Sequence, residues 1–366
     1  MAIGKPRYFI DGRPRVEKLP RRCWQMLIEY CPNLEALSIG GHAPSPRLFD
    51  TRHITAGRWT RLRKLALGDM KLQPSSDQDD KESQALRKFL ISHPNLQEVS
   101  FLNPGGAGFP SSLSLPRAAL PKMRSFSGPL KYIKSLPHLS HIRELKITTL
   151  HHCQSAFPPT YAMLKAMPSL TFLTLWIDLS FANHNNPHDD KNIFKSLLES
   201  CPHLLHLTVF CFTRPTFPIK EFSAALRCSP QLRSFSLTKT YKSSDEDMAL
   251  SAARIAHNNP NIQRFSFTYA QESWLTHRSG RVKQFGEFEI LSGADGLPTS
   301  MLAYEWGLKA FGQTYSRRYV QTLKSQKTRR SSSSSIMSWS SSERAWSPRP
   351  QSVLSFNSFP SSLKHL

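Results

Sequence analysis

Histidine, cysteine and acidic residues gather at two places in this chain where their types could hold a metal or activate a nucleophile. His151, His152 and Cys153 are consecutive, so their side chains diverge from one another. No second Cys or His pair stands at the spacing a tetrahedral site needs. His184, His188, Asp189 and Asp190 fall in the polar stretch FANHNNPHDDKN. That stretch reads as the lead-in to a helix from Asn192, where Asp is favoured by capping and by the helix dipole. The chain has no GxSxG, no HExxH and no glycine-rich phosphate loop, so the expectation is a protein that is not an enzyme and has no cofactor and no metal. Ser347, before Pro348 and three residues after Arg344, is a candidate phosphorylation acceptor. What remains is the chemistry of recognition. Glu144, Lys146, Phe172, Trp176, His206, Phe210 and Arg264 combine large aromatics with charges at their rim, the composition of a protein-binding surface. For that they must share one face of one structure.

A recurring phrase puts them there. CPNLEALSI from Cys31, HPNLQEVSF from His93, CPHLLHLTV from Cys201, SPQLRSFSL from Ser229 and NPNIQRFSF from Asn259 write the same short strand, each too small to bury its own apolar side. The leading apolar residue recurs at Leu34, Leu62, Leu96, Met123, Ile142, Leu170, Leu204, Leu232 and Ile262, with steps of 28, 34, 27, 19, 28, 34, 28 and 30 residues. A weaker tenth copy is expected at Phe285, Phe288 and Ile290. Between most strands the apolar residues take helical spacing: Cys23, Trp24, Leu27 and Ile28; Leu86, Phe89 and Leu90; Tyr161, Met163, Leu164 and Met167; Ile193, Phe194, Leu197 and Leu198; Phe222, Ala225 and Leu226; Leu250, Ala253 and Ile255. The Pro that comes next ends each helix. Side chains alternate along a strand, so the second and third apolar positions of each copy point inward. The residues before, between and after them face the other way. Phe172, Thr174 and Trp176, then His206, Thr208 and Phe210, are such triplets on neighbouring strands. Glu144 and Lys146 flank them on one side, and Arg264 stands two strands away on the other.

The LxxLxL pattern, with Cys or a polar residue and Pro just before it, resembles the leucine-rich repeats of fungal F-box/LRR proteins over residues 20 to 292. The resemblance implies an α/β leucine-rich-repeat solenoid, with a curved parallel sheet on the concave face and helices on the convex face. It also implies protein binding on the concave face, in many members as the substrate-recognition part of an SCF ubiquitin-ligase receptor. An F-box should precede the repeats as a helical module opening on Leu-Pro. The candidate here, Leu19 to Ile28, is explained as the covering helix of the first copy, so an SCF adaptor is a partner only if an F-box lies upstream of Met1. The alternatives are a scaffold or inhibitor unrelated to ubiquitin, or a basic module associated with nucleic acid.

Composition places these copies in a longer plan. Residues 1–18 read as an N-terminal extension or incomplete cap, 19–292 as a solenoid of nine to ten units, 293–323 as a C-terminal capping element and 324–366 as a disordered basic tail rich in Ser and Pro. For the cap, Asp295 and Gly296 are expected to turn the chain into a helix from Leu297 and Pro298, with Met301, Leu302, Tyr304, Trp306, Leu308 and Phe311 as its apolar surface. Trp306 is expected to be part of that cap's interior. The tail, with Ser331 to Ser335, Trp339, Trp346 and Phe356, buries too little apolar area to offset its ordering. Arg317 and Arg318 followed by Lys324, Lys327, Arg329 and Arg330 read as a solvated basic stretch with a weak nuclear-import pattern.

The 48 Lys and Arg against 26 Asp and Glu give a net charge of +22, a surface suited to an acidic protein partner or to phosphates. Without zinc-finger spacing, an aromatic RNA-binding pair or a basic heptad region, nucleic acid is the lesser expectation. Cys31, Cys201 and Cys228 read as buried thiols ending helices at equivalent positions, with Cys211 just after a strand. Reduced cysteines, and no apolar run of the roughly 20 residues that cross a bilayer, point to a monomer in the cytoplasm and/or nucleus that does not enter a membrane.

Overall fold

Nine times the chain makes the same turn. The N–H of Leu34 donates to the carbonyl of Cys31, and Leu62 to Trp59, Leu96 to His93, Met123 to Leu120, Ile142 to Leu139, Leu170 to Met167, Leu204 to Cys201, Leu232 to Ser229 and Ile262 to Asn259 do the same, all at 3.0 to 3.2 Å. In seven of these turns Pro stands second, where its fixed φ suits the bend. The computed structural model describes residues 9–10, 13–14, 21–39, 54–68, 76–101, 113–178, 189–211, 217–240, 246–270, 282–308 and 314–323.

After a two-stranded antiparallel hairpin, β1 (Phe9–Ile10) and β2 (Arg13–Pro14), a strand begins two residues beyond each leading apolar residue. These are β3 (Ala36–Ile39), β4 (Lys64–Leu67), β5 (Glu98–Phe101), β6 (Ser125–Gly128), β7 (Glu144–His152), β8 (Phe172–Asp178), β9 (His206–Cys211), β10 (Ser234–Thr240) and β11 (Arg264–Ala270). From β3 to β11 each pairs in parallel with its neighbour in sequence. The carbonyl just ahead of each strand locks the register by accepting two consecutive N–H groups from the next copy. Glu35 takes those of Arg63 and Lys64, Arg63 those of Gln97 and Glu98, and so on to Arg233 with Gln263 and Arg264.

Within a strand burial alternates. In β9 Leu207, Val209 and Cys211 are buried while His206, Thr208 and Phe210 are partly exposed. The buried side joins helices Arg21–Tyr30, Ser76–Ile91, Leu130–Ile133, Cys153–Lys165, Asp189–Glu199, Ile219–Ala225 and Met248–Asn258 in a continuous apolar core. The short 19-residue step is accounted for here, because only the single turn Leu130–Ile133 and a 3-10 turn at Leu139–His141 cover it. Inward rings continue from strand to strand, Phe235 against Phe265 at 5.0 Å and Phe265 against Phe288 at 5.1 Å. Among the described residues no helix is long and apolar enough to cross a membrane.

Beyond β11 the structure departs from the expectation. Phe285, Phe288 and Ile290 belong not to a tenth parallel copy but to β12 (Val282–Ser292), which runs antiparallel to β11. Asp295 and Gly296 do turn the chain, with Gly296 at φ +74° and the Leu297 N–H donating to the Asp295 carboxylate. The chain then enters a strand, β13 (Pro298–Leu308), and after it β14 (Thr314–Thr322), both antiparallel. The segment expected as a helical cap is thus made of strands. Leu302, Tyr304, Trp306 and Leu308 recur every second residue, the period of a strand, and Met301, Ala303 and Glu305 between them are buried. Phe311 lies outside the described residues. The whole is an α/β structure built on an open twelve-stranded sheet, β3 through β14 in sequence order.

Three finer expectations need correction. In helix Met248–Asn258 the buried face is Met248, Ala249, Ala252, Ile255 and Ala256, while Leu250 is 44% exposed; the helix is where the spacing put it, rotated by one position. Cys228 sits in a 3-10 turn one residue before Ser229, and it is Ser229 that occupies the place of Cys31 and Cys201. Cys201 and Cys211 are buried, with Cys211 the last residue of β9 itself. Cys23, Cys31 and Cys228 are only partly buried, and all five are free thiols. Burial pushes the Cys201 thiol up to about 12, which leaves it protonated and inert. Arg317 is exposed but not only solvated: its guanidinium also bonds the buried Glu305 carboxylate, which accepts from the Tyr319 hydroxyl as well.

Candidate functional site

Register decides what meets on the face opposite the helices. Glu144, Phe172, His206, Ser234 and Arg264 stand opposite one another across β7 to β11, as do Lys146, Thr174, Thr208, Ser236 and Ser266. A third row runs Trp176, Phe210, Thr238 and Thr268. The seven candidate residues therefore occupy one sheet face, on four of the five adjoining strands β7 to β11.

Their contacts sort them. Phe172 stacks on His206 with centroids 4.2 Å apart and planes at 16°, and Trp176 stacks on Phe210 at 4.6 Å and 19°. Such pairs contribute about 0.5–1.5 kcal/mol beyond the area they bury. The Lys146 ammonium lies 5.7 Å from the Trp176 ring centroid. With a cation and a ring against it, Trp176 is only 7% exposed, whereas Phe172 is 44% exposed. Trp176 supports the patch from below, and Phe172 is the ring most open to a partner.

Electrostatics follow from this packing. Partial desolvation lowers the pKa of Lys146 against the opposing pull of Glu144. Desolvation, and next the Arg264 charge, lower the pKa of His206, whose Nδ1 lies 2.6 Å from the Ser234 hydroxyl. His206 is therefore neutral near pH 7, a ring for stacking more than a cation. Arg264 is exposed, opposite Ser234 on one side and Glu289 on the other.

The strands beyond β11 add residues that the repeats alone did not reveal. The first row continues through Glu289, Leu302 and Val320, the second through Glu287, Tyr304 and Arg318, and the third through Phe285, Trp306 and Ser316. Phe285 meets Tyr304 edge-on at 6.4 Å, and the Arg318 guanidinium lies 5.4 Å from the Tyr304 centroid. Trp306 belongs to this face and is half-buried. A second aromatic group thus faces the first across β10 and β11, whose Ser234, Ser236, Thr238, Ser266 and Thr268 form a floor of small hydroxyl side chains. Ser266 donates to Ser236 at 2.9 Å. From β9 to β12 is three strand spacings, about 14 Å, wide enough for an extended segment or one helix of about 10 Å diameter. The two-residue period of Leu302, Tyr304 and Trp306 was the signal that could have found this wall.

Of the other candidates, Ser347, His184 and His188 lie outside the described residues. The same holds for the tail, and for the side chains of His151, His152, Cys153, Asp189 and Asp190. No protein-family model matches the chain, and no curated protein matches it.

Proposed function

We propose that the nine parallel strands and their helices form a leucine-rich-repeat solenoid, and that its helix-free sheet face captures another protein without catalysis. The observation that carries the reading is the pairing of two aromatic groups, Phe172, Trp176, His206 and Phe210 on one side and Phe285, Tyr304 and Trp306 on the other, across a hydroxyl floor. Large rings in the middle with Glu144, Lys146, Arg264 and Arg318 around them match the make-up of a protein-binding hot spot. The resemblance of the repeats makes the substrate-recognition part of an SCF ubiquitin-ligase receptor the first specific version. A scaffold or inhibitor is the second. The free thiols suit a reducing compartment, cytoplasm or nucleus.

The test is quantitative affinity purification of the wild-type protein beside a Phe172→Ala/Phe210→Ala variant of equal melting temperature. Proteins enriched by the wild type, lost with the variant and resistant to nuclease support the reading. Among them, an SCF adaptor would favour the receptor version and its absence the scaffold. Equal recovery with both proteins, or recovery abolished by nuclease, overturns the face as a protein-binding site.

A further inference from the structure

The edge where the strands begin carries a second surface, independent of the helix-free face and of the reading built on it. Because every copy repeats the same turn, side chains in the turn and just before the strand line up along this edge at about 4.8 Å per strand. Arg61, Arg63, Lys122, Arg124 and Arg143 line two adjoining grooves, of about 480 and 310 Å³, that share Gln97 and Lys122. Among the described residues Glu35 is the sole acidic one lining either groove. All five cations are exposed, and among the described residues no carboxylate pairs with Arg61, Arg63, Arg124 or Arg143. Lys122 reaches only the Asn95 amide oxygen, at 2.8 Å. The concentration is local: the positions just before β8 to β11 are Thr171, Leu205, Arg233 and Gln263, a single cation in four strands.

We infer that these grooves bind an extended acidic segment of another protein, with its carboxylates at alternating positions. Exposed guanidinium forks with no internal carboxylate are matched to carboxylates in charge and in geometry. This chain's own tail does not suit the place, since residues 324–366 carry seven Lys or Arg and one acid, Glu343. Single-stranded nucleic acid is a poorer fit, because base binding draws on aromatic platforms. Among the described residues the only ring on the groove wall besides proline is His141, which is stacked on His138 at 5.5 Å. The Gln97 carboxamide, at the junction of the grooves, offers a donor and an acceptor to a peptide main chain. Alternate side chains of an extended peptide fall about 6.7 Å apart, within reach of long cationic side chains rooted one or two strands apart. From β4 to β7 the grooves span about 14 Å, the length of four to five extended residues.

Fluorescence anisotropy of the full chain with a labelled peptide of alternating Glu and Ser tests this, beside a peptide of alternating Gln and Ser and an oligouridine of equal charge. The expected result is saturable binding of the acidic peptide only. Binding should weaken at least tenfold in Arg124→Glu/Arg143→Glu and fall with added salt, while a Lys165→Glu/Arg227→Glu control on the helix side, of matched charge and melting temperature, binds as the wild type does. Failure of the acidic peptide to bind, equal loss in the control, or tighter binding of the oligouridine would overturn it.

Discussion

A single buried imidazole shows how much one residue can carry. His93 is 2% exposed; its Nε2 accepts the Trp59 backbone N–H at 3.1 Å, and its Nδ1 lies 2.7 Å from the Phe89 carbonyl. The ring is therefore neutral with its proton on Nδ1, and a second proton would displace the Trp59 contact. Desolvation is the main cause of its lowered pKa, with Arg58 adding to it against the Phe89 bond. The unfolded chain takes up this proton at the ordinary value near 6.5 and the folded one only at lower pH, so stability present above that value falls as the solution is acidified. Thermal unfolding from pH 7.5 to 5 should show a steeper loss for wild type than for His93→Gln, whose amide can serve both partners without titrating; parallel curves would refute the assignment. On the open face Phe172 and Trp176 should separate. Trp176→Ala, at a buried ring, should cost about 3 kcal/mol in denaturant titration, while Phe172→Ala should cost under about 1 kcal/mol and still weaken partner capture. The sequence placed all seven residues on one face, because alternation in a strand is rigid. It could not tell that Trp176 would be covered, since that depends on Lys146 reaching across from β7.

At the scale of elements, legibility followed local constraint. The Pro turn and the two apolar positions after it fix where a strand starts, and each of β3 to β11 begins two residues past its leading apolar residue. Helix Met248–Asn258 was legible as a helix but not in its rotation, because Ala residues fill its buried face and Leu250 points outward. Strand β13 was misread because Met301, Tyr304 and Leu308 satisfy a helical count while Leu302, Tyr304 and Trp306 alternate, and only pairing with β12 decides; β12 was legible as a strand but not in its direction. Gly286 records how close that pairing brings the helix: a Cβ there would stand 2.5 Å from the Met248 sulfur and 2.7 Å from the Phe288 ring. Gly286→Ala should destabilise by about 1–3 kcal/mol through overpacking. Adding Met248→Ala should cost less in that background than in the wild type, a non-additivity that a double-mutant cycle measures. Additive costs would mean that the two residues do not meet.

For the whole molecule, the plan is one sheet with two unlike sides and an edge of its own. Helices seal one side through a continuous core, the other offers aromatic groups around a hydroxyl floor, and the edge where the strands begin is basic over β4 to β7. Composition announced the charge but not its place; the common turn, repeated in register, gathers it. The most direct test of the central claim is site-specific photo-crosslinking in cells, with the reactive group at Thr208 or Ser236 on the open face and at Lys165 or Arg227 on the helix side. Both open-face positions should join to one and the same protein, and the helix-side positions should not. Crosslinks arising equally from both sides, or from the helix side alone, would contradict the claim.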